Sequence, residues 1–358
     1  MTRTCGNKPS SEIINGVYFI HLFLIGSRIT TSQNISESKI QGVANFSVIE
    51  HIRKCGMNDF QYGSWVDGAH LCGLKTHHVY DNGSRSHYCW QPLNCTAEKF
   101  SKEKFCANLN GRSILVVGDS VAKDFTTTMI HLMDSVITNK RDTVRVHEKI
   151  CSGKSRISFM RNDHMTVRRE GSPHHDNGDA DSNLNWKSRI RPYDILVLHK
   201  GHHLTPLEGT DELFKRESLD TVNYIKNYVS PKKLIYFLTT SPPHPFCSKN
   251  STPILTVVNQ SHPAMYNITQ YQDTIYVKKY NWHRIPYYNN YHKEIFRNVL
   301  NATIIDIEAM SMLRPDGHYH DADSDIAKSA NGSDCLHYRS SNVYQNWVKI
   351  FYNLLSYS

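Results

Sequence analysis

Short apolar runs alternating with helical patterns constrain this chain more than any other feature. Residues 114–117, 195–198, 234–238 and 303–307 are each rich in Val, Ile, Leu, Phe or Tyr and short enough for strands buried on both faces. Helical spacing separates them. Residues 123–133 follow the first run. Residues 213–229 precede the third, with Leu219, Val222, Ile225 and Val229 in phase, and residues 291–300 precede the fourth, with Ile295, Val299 and Leu300 on one side. Residues 347–355 close the chain as an amphipathic helix, while 143–147 and 157–160 add a strand or a hairpin. This alternation predicts an α/β fold, a three-layer α/β/α sandwich around a parallel sheet. Ligands on such sheets bind beyond the carboxyl ends of the strands.

The first run ends in Gly118-Asp119-Ser120, and near the C-terminus stands Asp334-Cys335-Leu336-His337. A serine hydroxyl becomes a competent nucleophile only with a base in hydrogen-bond reach and a group that orients the base. Ser120 sits where a strand meets a helix, so amides at the helix start can receive a developing oxyanion. His337 is the candidate base and Asp334, three residues earlier, the candidate orienter. Asp119 is expected to brace the turn. A neutral imidazole is required to take the serine proton, so activity should fall at acid pH, around the ordinary histidine value near 6.5.

The 358 residues suffice for a large core, and the net charge of +8 favours acidic partners such as anionic glycans or a membrane surface. Without a dense Lys/Arg stripe, nucleic acid is not an expected partner. After Arg3 and Lys8, residues 13–25 are mostly apolar, too short a run for a bilayer span and suited to a secretory signal peptide or a signal anchor. Any membrane contact is expected through that anchor alone. Loss of Cys5 with a cleaved signal would leave an even set: Cys55, Cys72, Cys89, Cys95, Cys106, Cys151, Cys247 and Cys335. An even set fits disulfides in an oxidising compartment, and the spacing does not fit zinc. Asn-x-Ser/Thr sequons at Asn34, Asn45, Asn82, Asn94, Asn250, Asn259, Asn267, Asn301 and Asn331 point the same way.

The domain reading is therefore a signal peptide or anchor over 1–30, a polar stem over 31–50, a disulfide-pinned, loop-rich minor lobe over 51–110 and a catalytic domain over 111–358, with 51–358 as one folding unit. Within 163–185, His174, His175, Asp176, Asp179 and Asp181 supply metal-donor types, but the stretch reads as a solvated loop, and no metal site or cofactor is expected. Trp65, Trp90 and Tyr62 could stack on a sugar or, as the favoured reading, pack the small lobe.

Several blocks in order carry a family likeness. They are Tyr62-Gly63-Ser64-Trp65-Val66, Cys89-Trp90-Gln91-Pro92 with Cys95, and Gly111-Arg112 with Val117-Gly118-Asp119-Ser120. Asp194 through His199-Lys200-Gly201-His202, Phe237 through Ser241-Pro242-Pro243-His244, Leu313-Arg314-Pro315-Asp316-Gly317-His318 and Asp334-Cys335-Leu336-His337-Tyr338 complete the set. From Cys55 onward the chain resembles the PC-esterase group of the SGNH (GDSL-like) superfamily, particularly the trichome-birefringence-like proteins. The resemblance implies a Ser120-His337-Asp334 triad, an oxyanion hole from the Ser120 and Gly201 amides, and acetyl transfer to polysaccharide or glycoprotein glycans in the Golgi lumen or after secretion. His202, His244 and His318 recur in these blocks, either touching substrate or bracing loops. The chain departs from the plant pattern at His199, Leu238, Lys123, Asp124 and Tyr338-Arg339, which leaves the acceptor open. Three readings follow: an O-acetyltransferase, an acetylesterase with the same acyl-serine, and a secreted glycan-binding protein with an idle triad. The acyl donor is not specified by the residues.

Overall fold

The computed structural model describes residues 53–74, 88–138, 145–165, 184–204, 210–244, 247, 252–259, 280–319, 334–338 and 341–358. The expected signal or anchor and stem, and the His/Asp cluster between 174 and 181, lie outside them. Residues 51–358 form one compact unit.

In chain order the elements are β1 (Gly63–Asp67), β2 (Tyr88–Pro92), α1 (Lys102–Leu109), β3 (Ile114–Gly118), α2 (Ser120–Leu132), β4 (Arg145–Ile150), β5 (Ser155–Arg161), β6 (Ile195–Leu198), α3 (Thr210–Tyr228) and β7 (Leu234–Leu238). They continue with α4 (Ile285–Leu300), β8 (Thr303–Ile305), α5 (Glu308–Met312), β9 (His318–Tyr319), β10 (Asp334–Tyr338) and α6 (Ser341–Leu355). Six strands form the central sheet in the order β4-β5-β3-β6-β7-β8. β5, β3, β6, β7 and β8 run parallel, and β4 pairs antiparallel with β5 as an edge. The hairpin expected from 143–147 and 157–160 is this β4–β5 pair.

Strand parity builds the layers. Ile114, Val116, Ile195, Val197, Tyr236 and Leu238 point to one face, where α2 and α6 cover them with Phe125, Met129, Trp347 and Phe351. Leu115, Val117, Leu196, Leu198 and Phe237 point to the other, beneath Val222, Ile225, Ile295 and Phe296 of α3 and α4. Each run is apolar at every position because both faces are covered. The cysteine-rich segment contributes Phe60, Trp65 and Trp90 to the α2/α6 core. Trp65 and Trp90 meet edge to face and donate their indole N–H groups to the Met310 and Phe60 carbonyls, so they are core residues rather than a sugar platform.

Two helical expectations shift. Leu219 and Val299 are exposed. The buried face of α3 runs through Phe214, Ser218, Thr221, Val222 and Ile225. It tolerates polar residues because Ser218 and Thr221 donate back to the Phe214 and Glu217 carbonyls. Four disulfides pair Cys55–Cys95, Cys72–Cys89, Cys106–Cys151 and Cys247–Cys335.

Candidate functional site

The turn from β3 into α2 is shaped by its residues one by one. A Cβ at Gly118 would lie 2.7 Å from the Ala122 Cβ and 2.9 Å from the His199 Cβ, so only glycine lets the strand meet its helix and the neighbouring loop so closely. Asp119 is the N-cap: its Oδ1 accepts the Val121 amide at 2.9 Å and the Ala122 amide at 3.4 Å. Ser120 follows as the first helical residue. Its own amide has no protein acceptor among the described residues, as expected for an N-terminal helical donor left over by the cap.

Ser120 Oγ lies 2.7 Å from His337 Nε2, across 217 residues of sequence. His337 Nδ1 lies 2.8 Å from Asp334 Oδ2, and Asp334 Oδ1 accepts the Leu336 and His337 amides at 3.1 Å each. The Asp-x-x-His spacing makes this possible: one carboxylate closes a turn on its own backbone with one oxygen and holds the imidazole with the other. With Asp334 accepting the Nδ1–H hydrogen bond, the neutral ring presents its Nε2 lone pair to the serine hydroxyl. Burial of His337 opposes charge, but the hydrogen bond and charge of Asp334 outweigh it, with Asp124 and Asp119 adding. The pKa is raised to about 9, well above the ordinary value assumed from sequence. Burial likewise pushes Asp334 up, yet the same pairing with His337 holds it below the usual carboxylate range.

The strand β10, which carries Asp334 and His337, is held on three sides. It pairs with β9 in the register Asp334↔Tyr319 and Tyr338↔His318. The Cys247–Cys335 disulfide ties it to the segment after β7, and the His244 amide donates to the Cys335 carbonyl at 2.9 Å. His318 Nδ1 donates to the His337 carbonyl at 2.9 Å, and its Nε2 lies 2.7 Å from His244 Nδ1. His244 Nε2 donates to the Met312 carbonyl at 2.8 Å, and burial holds this imidazole down to about 4, hence neutral. His244 and His318 therefore brace the segment that carries the candidate base.

His202 braces the turn that carries Ser120 in the same way. Its Nδ1 lies 3.0 Å from Asp119 Oδ2 and its Nε2 donates to the Ser241 carbonyl at 2.8 Å. His199 donates through Nδ1 to the Leu238 carbonyl at 3.1 Å and turns Nε2 toward Asp119 Oδ1 at 3.3 Å. Burial works against the Asp119 charge, but the two histidines hold its carboxyl well below the usual range. These three side chains offer metal-donor atoms within 4.8 Å of one another. The contacts they make are those of a hydrogen-bonded brace that joins the loops after β3, β6 and β7.

Gly201 lies between these braces. A Cβ there would meet Thr240 Oγ1 at 2.2 Å, and Thr240 itself donates to the Lys200 carbonyl at 2.7 Å. Asn289 of α4 clamps Thr240 from both backbone sides, and the buried Lys200–Glu217 pair, 2.8 Å apart, fastens the loop to α3. The Gly201 amide, like that of Ser120, has no protein acceptor among the described residues.

Two contributors had no role assigned from sequence, where Asp124 stood only as a departure from the plant pattern. Asp124 lies four residues after Ser120, on the same helix face, and accepts the Tyr344 hydroxyl at 3.1 Å; burial raises its pKa. The i, i+4 spacing from the serine was a usable signal. Tyr344, by contrast, reaches the site from α6, 220 residues away in sequence.

An α/β/α sandwich that presents a serine at the carboxyl end of a central strand is the architecture of the SGNH-like esterases. Comparison of the sequence with protein families bears this out: residues 98–354 match PC-Esterase, described as a GDSL/SGNH-like acyl-esterase family, and the chain belongs to it. Among curated proteins it is similar to Protein trichome birefringence-like 39 of Arabidopsis thaliana, 23% identical over 297 residues that cover 75% of each chain. It is also similar to Protein trichome birefringence-like 42 of the same plant, 21% identical over 301 residues, 75% of this chain and 77% of the relative.

Proposed function

We propose that the protein is a glycan O-acyltransferase, an O-acetyltransferase by preference, that works through an acyl-serine on Ser120. The observation that carries this reading is the unbroken relay from Ser120 Oγ to His337 Nε2 at 2.7 Å and from His337 Nδ1 to Asp334 at 2.8 Å. His337 takes the serine proton as Oγ attacks the donor carbonyl. Asp334 holds the ring in the required tautomer and stabilises the imidazolium. The Ser120 and Gly201 amides receive the oxyanion. Collapse of the tetrahedral intermediate expels the donor alcohol or thiol, which leaves with the proton from His337. A sugar hydroxyl then attacks the acyl-serine, with His337 again as base, and carries the acyl group away. The substrate is a polysaccharide or a glycoprotein glycan. Four disulfides support action in the secretory pathway, in the Golgi lumen or after export, with residues 1–30 as signal or anchor and 31–50 as stem.

The description of the matching family as acyl-esterases supports a second reading, in which water resolves the same acyl-serine. Exclusion of water from the cleft and retention of the acceptor decide between the two. The test incubates the protein from residue 51 onward with an acetyl ester donor and candidate oligosaccharides, and follows free acetate and sugar mass. Sugar mass gain supports the transferase, and acetate release without it supports the esterase. If wild type and Ser120→Ala are equally inert while sugars still bind, the chain is a glycan-binding protein with an idle triad.

A further inference from the structure

One disulfide has a partner that a purely structural crosslink does not need. Lys349, on the inner face of α6, is 3% exposed. Its Nζ lies 2.9 Å from Cys72 Sγ, 3.5 Å from Cys89 Sγ and 3.4 Å from the Trp90 carbonyl. Gln91 Nε2 points at Cys89 Sγ from 3.1 Å. Burial brings the Lys349 pKa down to about 8, so the amine is still mostly charged at neutral pH. No carboxylate pairs with it among the described residues. A buried ammonium facing two neutral sulfurs is poorly compensated, because disulfide sulfur is a weak acceptor. The same nitrogen facing a thiolate would form an ion pair. None of the other three disulfides has a cationic nitrogen within hydrogen-bond reach of its sulfurs among the described residues.

We propose that Cys72–Cys89 is a thiol–disulfide exchange site for small thiols of the glutathione class, and that Lys349 stabilises its reduced form by pairing with the Cys72 thiolate. In the exchange two thiols give up two electrons and become one disulfide, while the Cys72–Cys89 bond breaks. Of the two protons the thiols bring, one goes to Cys89 and the other leaves to solvent, because Cys72 stays ionised beside the ammonium. Both sulfurs are fully buried, so attack requires local opening of the minor lobe. Lys349 therefore sets the equilibrium rather than the rate. The clamp at stake is specific. Asn346, one turn before Lys349, holds the Trp90 amide at 2.9 Å, so the disulfide, β2 and α6 form one joint, and α6 also packs on the nucleophile helix α2.

The test equilibrates the protein in glutathione buffers of graded ratio, blocks free thiols and maps each cysteine by mass spectrometry. Cys72–Cys89 is expected to be the first of the four pairs to open as the buffer becomes more reducing. Lys349→Met should make it at least tenfold harder to reduce, a shift of about 30 mV for a two-electron couple. Release of one proton should make the equilibrium constant for reduction rise about tenfold per pH unit from pH 6 to about 8 in wild type, and leave it flat in Lys349→Met. Reduction of Cys72–Cys89 together with or after the other pairs overturns the proposal. So does a wild-type constant independent of pH, a reading that needs no variant to fold.

Discussion

Replacing Asp334 by Asn removes one negative charge and little else, and its effect can be worked from the site. Asp334 is the main reason His337 stands near 9 instead of the ordinary 6.5. That difference of about 2.5 pKa units corresponds to about 3 kcal/mol of preference for the imidazolium. Proton transfer from Ser120 creates this imidazolium in the transition state, so losing the preference costs about 10²-fold in acylation rate. The Asn amide can also turn its NH₂ toward Nδ1 and leave the proton on Nε2, a wrong tautomer that brings the loss to about 10⁴-fold. Release of p-nitrophenol from an acetyl ester, followed between pH 6 and 10, reads both effects. In wild type the rate should climb about tenfold per pH unit below a midpoint near 9, since only the neutral ring can accept the proton. In Asp334→Asn the residual rate should show its midpoint moved down toward 6.5. A variant within tenfold of wild type, or one whose midpoint stays near 9, refutes the assignment of Asp334 as orienter.

The same pair should shape stability. A raised His337 stabilises the fold below about 6.5 and loses that contribution as pH rises through about 9; a lowered Asp334 stabilises it above about 3.8 and loses that as pH falls. The gap in unfolding free energy between wild type and Asp334→Asn should therefore be widest between about pH 4 and 6.5, up to about 3 kcal/mol, and shrink toward pH 9.5 in urea titrations; a gap that grows toward alkaline pH contradicts it. Gly201→Ala drives a methyl into Thr240, 2.2 Å from its Oγ1, and should lower kcat by about 10²-fold through displacement of an oxyanion donor, with a loss of about 1–3 kcal/mol in chemical denaturation. Full activity in that variant would remove Gly201 from the oxyanion hole. Replacing Cys247 and Cys335 by Ser opens a loop of 88 residues and should cost about 4–5 kcal/mol, seen as a lowered Tm, while acylation slows because Asp334 and His337 lose their anchor.

How far the sequence can be read follows from where each determinant lies. Runs such as Ile114–Val117 were legible as doubly buried strands because every residue is apolar, and parity then assigns each side chain to a face. The edge strand β4 was less so, because its exposed–buried alternation is that of a half-covered strand with charged Arg145, Glu148 and Lys149. Helix starts came out late. α2 begins at Ser120 because Asp119 caps it; the start of α4 at Ile285, with Pro286 in its first turn, is masked in the sequence because the buried polar residues Asn289 and His292 interrupt the apolar phase. At the site, Asp-x-x-His spacing marked the candidate base and its candidate orienter, which the fold holds within one turn. The bracing partners of His202 and His318, and the Asp124 and Asp119 charges that add to the lift Asp334 gives His337, come from elements distant in sequence, so no local pattern records them.

The central claim is that Ser120 becomes covalently acylated. A fluorophosphonate or a slowly turned-over acetyl ester, quenched in acid and followed by peptide mapping, tests it without knowledge of the natural acceptor. A single adduct on Ser120, forming faster as pH rises toward 9 and absent in His337→Ala, is the expected result. Stoichiometric labelling at any other residue, or none in folded protein with the relay intact, would contradict it.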